Sequence, residues 1–262
     1  MVSNDVSKEP NGIVHPATPL ILAVDTTSAR RSVALAKGNR LLGVIGVDAG
    51  PTHSWNLHDE VDLLLDKCRS TLSEIDVLGV TTGPGSFTGL RVGVAAVKGF
   101  AHALDKPVVG VTSLEAWARR AGVGGRVCAC IDAQRGELYA QVFDVDGVGA
   151  VRPVTDPRLI PPQEVCAWLS DQSDLLFAGD GVGISRAEWE AWARQCGREI
   201  RFVSIPPTPV RGWMAIETIE FLAPAVAWLA ERRLREGHVQ TAVTLDALYV
   251  RASDAEMKRG RS

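Results

Sequence analysis

The apolar positions of this chain follow two periods, and each switch between them marks an element. Residues 20–24 form a short unbroken apolar run, the pattern of a buried strand. Asp25-Thr26-Thr27-Ser28 turns the chain, 32–36 runs back, and Gly38-Asn39 turns it again into a third strand over 41–47. At 54–69 the period changes. Leu57, Val61, Leu64, Leu65 and Cys68 recur at helical spacing, with Asp59, Asp62, Asp66 and Lys67 between them. A strand at 77–81 leads through a glycine-rich loop at 83–89 into a second helix ending near 104, and 107–112 is a further strand. A three-strand meander followed by strand, helix, strand, helix, strand predicts an α/β fold with a mixed sheet.

The second half begins the same way. Residues 126–131 are strand-like, 132–136 turn, and 137–143 run back. Ala23-Val24-Asp25-Thr26-Thr27 and Cys130-Ile131-Asp132-Ala133-Gln134 are equivalent strand ends, each placing an aspartate in a hairpin turn. This order predicts an internal duplication. A later strand at 175–178 ends in Gly179-Asp180-Gly181-Val182-Gly183. A terminal helix is expected over 224–236, with Pro224 in its first turn and Gly237 past its end. The pattern assigns no element over 145–162 or 188–209. Six of the seven tryptophans lie at or after Trp117, which predicts a second half built more on aromatic packing. The expected organisation is a disordered tail (1–19), two lobes (20–115 and 116–250) and a C-terminal tail (251–262).

Composition narrows the class. The 262 residues are 46% hydrophobic and 23% charged, ordinary for a soluble domain pair, and the net charge of −3 gives no global footprint for nucleic acid. Five cysteines with no CxxC pair argue against a disulfide framework and for a reducing, cytoplasmic setting. Cys128 and Cys130 share one strand face, where burial as small hydrophobes is the simpler reading and a metal pair would need further ligands. Residues 1–19 carry Asp5, Lys8, Glu9 and three prolines with no apolar core, so they do not read as a signal peptide, and no apolar stretch approaches bilayer length.

Candidate chemistry gathers in two places. An aspartate in the first hairpin of each half, with glycine-rich turns after strands, is the outline of the actin, hexokinase and Hsp70 class, in which such turns face a phosphate chain. There Asp25, Thr26, Thr27 and Asp132 would be the phosphate-loop positions, Asp25 holding a metal-bound water. The first turn lacks the glycine that allows close backbone approach, so these groups could instead satisfy only their own turn. The sharpest motif is Gly83-Pro84-Gly85-Ser86-Phe87-Thr88-Gly89-Leu90-Arg91, which is not a Walker A loop but a strand-to-helix transition with Ser86 or Thr88 as cap. Its helix carries a large stripe (Leu90, Val94, Val97, Ala101, Leu104) and a small one (Gly89, Val92, Gly93, Ala96, Gly99). One stripe covers the sheet. The other needs a second partner, either the neighbouring helix or another subunit, and this makes Leu57, Val61, Leu64, Val92, Gly93, Ala96 and Gly99 candidate interface residues.

Other chemistries find little support. His53 and His58 are five apart, about 140° around a helix, which is not a zinc-pair spacing. Neither HExxH nor GxSxG occurs. Arg30, Arg31, Arg119, Arg120, Arg232, Arg233 and Arg235 read first as solvated surface, with RNA contact the alternative.

The motifs resemble a known family. Ile21-Leu-Ala-Val-Asp-Thr-Thr-Ser, Gly83-Pro-Gly-Ser-Phe-Thr-Gly-Leu-Arg-Val-Gly, Val108-Val-Gly-Val-Thr-Ser-Leu-Glu, Ile131-Asp-Ala-Gln-Arg-Gly-Glu-Leu-Tyr and Leu248-Tyr-Val-Arg are similar to the TsaB (YeaZ) family of tRNA threonylcarbamoyladenosine biosynthesis proteins, strongly over 20–139. The resemblance implies a duplicated actin-like (ASKHA) fold of two lobes, with mixed sheets flanked by helices. It also implies a non-catalytic, Gcp-like subunit that helps form N6-threonylcarbamoyladenosine (t6A) next to the tRNA anticodon. Such a subunit pairs with the catalytic paralogue TsaD through the two N-terminal-lobe helices, with the ATPase TsaE joining and tRNA reached through the complex. A homodimer when unpartnered, ATP or ADP only at the complex interface, and no metal are further implications. The HxxxH pair of the catalytic relative is missing here. The rival within the same fold is a stand-alone ATPase or small-molecule kinase.

Overall fold

The computed structural model describes residues 16–48, 56–122, 124–217 and 221–248. The chain divides into two compact units, residues 1–112 with 221–248 and residues 113–220 with 249–262.

In the first unit, β1 (Leu20–Asp25), β2 (Arg30–Lys37) and β3 (Arg40–Asp48) form the antiparallel meander, and β4 (Val77–Thr81) and β5 (Val108–Val111) add in parallel. The sheet order is β3-β2-β1-β4-β5. Every residue of β1 is buried, as an unbroken apolar run in a central strand requires. Side chains alternate between faces. Leu20, Leu22 and Val24 join Val33, Leu35, Leu78 and Val80 in a core shared with α1 (Leu57–Cys68) and α2 (Phe87–Leu104). The other face is built for close approach: a Cβ on Gly79 would lie 3.1 Å from Val226 and 3.2 Å from Ala230 of α7 (Ala223–Arg235). Asn56 caps α1, its side chain accepting from the His58 amide, and Ser86 caps α2, accepting from the Gly89 amide. A 3-10 turn (Leu72–Glu74) links α1 to β4.

The second unit repeats this plan. β6 (Gly125–Asp132) and β7 (Leu138–Val145) form the hairpin, with β8 (Val151–Pro153) and β9 (Arg158–Ile160) both on β7. β10 (Leu175–Ala178) and β12 (Trp213–Ile216) add in parallel as β4 and β5 do, and β11 (Ile200–Val203) lies outside β12. The order is β11-β12-β10-β6-β7-β8. α4 (Pro162–Trp168), α5 (Gly181–Ile184) and α6 (Arg186–Gln195) share one core with the sheet, centred on Phe177 and fully buried Trp189. The Trp189 indole N–H donates to the Pro162 carbonyl at 2.9 Å, which satisfies its one polar atom. α3 (Ser113–Ala121) packs on β6, β7 and β10.

Meander first, then parallel strands, in the same order twice, is the duplicated actin-like fold. The third helix of each half departs from sequence order. α3 follows β5 yet packs on β6, whereas α7, placed by chain order in the lobe 116–250, packs on β1, β2 and β4 of the first unit. Its face of Ala223, Val226, Ala227 and Ala230 is narrow enough for the Gly79 side of that sheet. At the N-terminus, residues 17–19 are tied down rather than loose: the Gly38 amide donates to Pro19 at 2.8 Å and Arg235 to Ala17 at 3.1 Å. The rest of the expected tail (1–15), the C-terminal tail (251–262) and His53 lie outside the described residues. No helix among the described residues is long and apolar enough to cross a membrane.

Candidate functional site

The β1–β2 turn carries the first candidate constellation, and the structure turns it inward. Asp25, Thr26 and Thr27 are all buried. Asp25 Oδ1 accepts from the Thr27 amide (3.1 Å), the Thr27 hydroxyl (2.7 Å) and the Thr81 hydroxyl (2.8 Å). Its Oδ2 is buried with no hydrogen-bond partner among the described residues. Burial pushes the Asp25 pKa up, opposed by the hydrogen bonds from Thr27 and Thr81. A carboxylate poised to hold a metal-bound water needs access, and burial denies it to this one.

The glycine-rich loop explains why the turn is buried. The Ser86 amide donates to the Thr27 carbonyl at 2.7 Å, and the Thr26 hydroxyl donates to the Gly89 carbonyl at 2.7 Å. A Cβ on Gly85 would sit 2.3 Å from the Thr27 carbonyl oxygen, and one on Gly89 2.0 Å from that of Thr26. Two glycines of the motif are thus required by backbone-to-backbone contact with the turn. The motif clamps the chain's own hairpin through the Thr27 carbonyl and the Thr26 hydroxyl.

Asp132 keeps half of the same arrangement. Its Oδ1 accepts from the Gln134 amide at 2.7 Å, the same two-residue bond that Asp25 makes to Thr27, and its Oδ2 accepts from the Gln134 side chain at 3.0 Å. The Asp132 amide donates to Asp180 at 3.0 Å. Gly179 stands where a Cβ would lie 1.9 Å from the Cys130 carbonyl oxygen, so the loop after β10 presses on the end of β6, as the loop after β4 presses on the turn that follows β1. Asp132 is half-exposed, unlike Asp25. Cys128 and Cys130 are buried with sulfurs 3.6 Å apart, and no group of three or more metal-ligand side chains occurs among the described residues. Burial raises the Cys166 thiol to about 12, which leaves it inert at neutral pH.

The helix faces divide differently from the sequence pattern. Leu57, Val61 and Leu64 are buried in the core of the first unit, so they offer no outer surface. Gly93 is buried too, beneath the Thr26 side chain, where a Cβ would lie 2.3 Å from Oγ1. Ala96 is half-buried, and Gly99 is open, with nothing within 4 Å of an added Cβ. Val92 remains exposed at 46%, and Leu63 on α1 at 47%. Phe87 is exposed at 37% with the Arg91 guanidinium 3.9 Å above its ring. His58 meets Phe100 edge-on at 5.3 Å, joining the two helices. The spacing rule missed Leu63 because it collects only residues on the core stripe. An apolar residue left over among Asp59, Asp62 and Asp66 was the available signal. Of the arginines, Arg30 pairs with Asp48 at 3.0 Å, Arg233 donates to the Gly110 carbonyl, and Arg235 pairs with Glu231.

With this geometry in place, comparison with known proteins is informative. A family profile described as TsaD, tRNA N6-adenosine threonylcarbamoyltransferase, matches residues 30–173. The chain is 29% identical over 175 residues to the tRNA threonylcarbamoyladenosine biosynthesis protein TsaB of Escherichia coli, covering 66% of this chain and 73% of that one. It is 32% identical over 161 residues to TsaB of Bacillus subtilis, covering 61% and 67%. The solved structure of YeaZ from Pseudomonas aeruginosa superposes with a TM-score of 0.70 at 27% identity, over 88% of this chain and all of that one.

Proposed function

The chain belongs to the TsaB (YeaZ) family of t6A biosynthesis, and from that premise we propose that it is a non-catalytic subunit that binds and activates the catalytic paralogue TsaD. The observation that carries this reading is the fate of the first turn: Asp25 is buried, and the Thr26 and Thr27 carbonyls beside it are pressed by Gly89 and Gly85. A phosphate-transfer site of this fold needs that turn open and that carboxylate accessible. The surface this reading assigns to the partner is the outer face of α1 and α2, where Leu63, Val92 and Gly99 are exposed. Exposed apolar side chains flanked by charge suit a protein partner. On this reading TsaD docks there, TsaE joins the pair, tRNA is contacted through the complex, and a second copy of the chain is the occupant when TsaD is absent. The setting on this reading is the cytoplasm, where the tRNA that the complex modifies is made.

The test is titration of the isolated chain with ATP and Mg2+ by calorimetry, followed by t6A formation with TsaD added and withheld. The chain alone is expected to show no appreciable ATP turnover and no tRNA modification, and to raise the activity of TsaD. Substantial turnover by the chain alone, lost in Asp25→Ala, overturns the proposal in favour of a stand-alone ATPase.

A further inference from the structure

The two edges of the first sheet are finished differently. β5 is capped: Val108 exchanges both backbone hydrogen bonds with Gln240, and the Gly110 amide donates to the Gln240 side chain. β3 is not. It pairs with β2 alone, and among the described residues no hydrogen bond reaches the backbone groups on its other side. It is also long and apolar, nine residues of which only Arg40 and Asp48, at the two ends, are charged. Leu41 is 47% exposed and Val44 41%. The duplicated half shows how such an edge is ordinarily blunted. The strands outside β7 are β8 and β9, three residues each, which carry Arg152, Pro153 and Arg158. β3 has neither the shortness nor the proline, and its one bulge lies toward the turn, opposite Leu35 and Ala36.

We propose that β3 is the docking edge for β3 of a second copy of this chain, the two strands pairing antiparallel about a twofold axis at Val44. A twofold in an antiparallel pair sets the residue on the axis opposite its own copy. With Val44 there, all nine residues overlap, and the sequence Arg-Leu-Leu-Gly-Val-Ile-Gly-Val-Asp complements itself. Arg40 lies opposite the second copy's Asp48 at both ends, and Leu41 opposite its Val47. Each glycine meets a large residue, Gly43 opposite Ile45 and Gly46 opposite Leu42. Asp48 holds Arg30 at 3.0 Å yet keeps its side chain 61% exposed, so a second guanidinium can reach it. The bulge bends β3 beside Arg40, a shift within reach of a long side chain. A slip of two residues either way separates both charge pairs and shortens the overlap, so the charges fix the register. The pairing joins two five-stranded sheets into one and satisfies the outward amides and carbonyls of both edges. It uses none of Leu63, Val92 and Gly99, and it does not rest on TsaD docking there.

Analytical ultracentrifugation of the full chain tests this, with Leu63→Arg and Val92→Arg present so that the α1–α2 face contributes nothing. A contact of one strand on one strand falls at the small end of stable interfaces, so the loading is about 100 µM, where a dimer is expected. Adding Val44→Lys sets like charges together on the axis and is expected to weaken the dimer at least about tenfold. Arg40→Glu alone places carboxylates opposite each other at both ends, and Asp48→Lys alone places cations there. Each is expected to weaken self-association about tenfold, and an equimolar mixture of the two to recover it, because every end of the mixed pair is then opposite in sign. Circular dichroism checks that each variant is folded; should Val44→Lys fail to fold, the charge exchange at the exposed ends decides alone. A monomer at that loading, a dimer that folded Val44→Lys leaves unchanged, or a mixture no more associated than its components overturns the proposal.

Discussion

Asp25 separates a structural carboxyl from a catalytic one more sharply than any other residue, through two substitutions. Asp25→Ala removes the acceptor of three buried donors, the Thr27 amide and hydroxyl and the Thr81 hydroxyl. A hydrogen bond lost with its donor left buried costs about 1–3 kcal/mol, so the three together are expected to cost about 3–5 kcal/mol. Asp25→Asn keeps an oxygen at the Oδ1 position and puts an uncharged amide where Oδ2 has no donor. Its amide N–H groups meet no acceptor there, so its stability at pH 7 should fall by about 1–3 kcal/mol, less than that of Asp25→Ala. The sign of the pH dependence follows from the raised pKa of Asp25. The folded state holds the proton more tightly than the unfolded chain, so this contribution is full below the unfolded value near 3.9 and is lost as pH rises through the folded value. Wild type should therefore lose stability from Asp25 across that window, and Asp25→Asn should lack this component. The assay is the urea midpoint of wild type, Asn and Ala variants from pH 4 to pH 9. If Asn is as damaging as Ala, or if the Asn variant keeps the wild-type pH component, the buried-acid reasoning is refuted.

The glycines of the clamp and of the open face should respond oppositely. Gly85→Ala and Gly89→Ala drive a methyl into the carbonyls of Thr27 and Thr26 and are expected to destabilise by about 1–3 kcal/mol or more, whereas Gly99→Ala, with open space around it, should stabilise α2 by about 0.5–1 kcal/mol in thermal melts. Leu63→Arg and Val92→Arg should stay folded by circular dichroism and weaken association with TsaD, the proposed partner, at least tenfold in size-exclusion or calorimetric titration, while Val61→Glu, at a core position, should unfold the first unit. Leu63 and Val92 variants that bind normally would move the interface elsewhere. Deleting residues 1–19 should cost about 2 kcal/mol more than deleting 1–15, because the carbonyls of Pro19 and Ala17 hold Gly38 and Arg235; equal melting temperatures would contradict this.

What the sequence displays well here is what depends on neighbours along the chain. The meander, α1, β4, α2 and β5 all stand out because each buries a run or stripe whose period is set by its own backbone. The duplication was legible in two aspartate turns for the same reason, and the matching Asx bonds of Asp25 and Asp132 give it a physical basis. β8 and β9 were not legible, being three residues each and carrying Arg152, Pro153 and Arg158, so they present no period at all. α6 was hidden because its helical stripe rests on Trp189 and Ala193 alone.

The site failed to declare itself for a different reason. Which face of α2 is outward depends on Thr26, sixty-three residues from Gly89, and a stripe of small residues looks the same whether a hairpin or a partner lies against it. The two aspartates show how far such long-range packing decides chemistry. Their local bonds match, yet Asp25 is buried ahead of a turn whose Thr27 and Thr26 carbonyls meet Gly85 and Gly89, while Asp132 stays half-exposed with its amide bonded to Asp180. The difference is made by a loop that follows β4 in one half and by its shorter counterpart after β10 in the other. In the first unit the aspartate is kept while the glycine loop closes on the turn that follows it, and Ser86 of that same loop caps the start of α2.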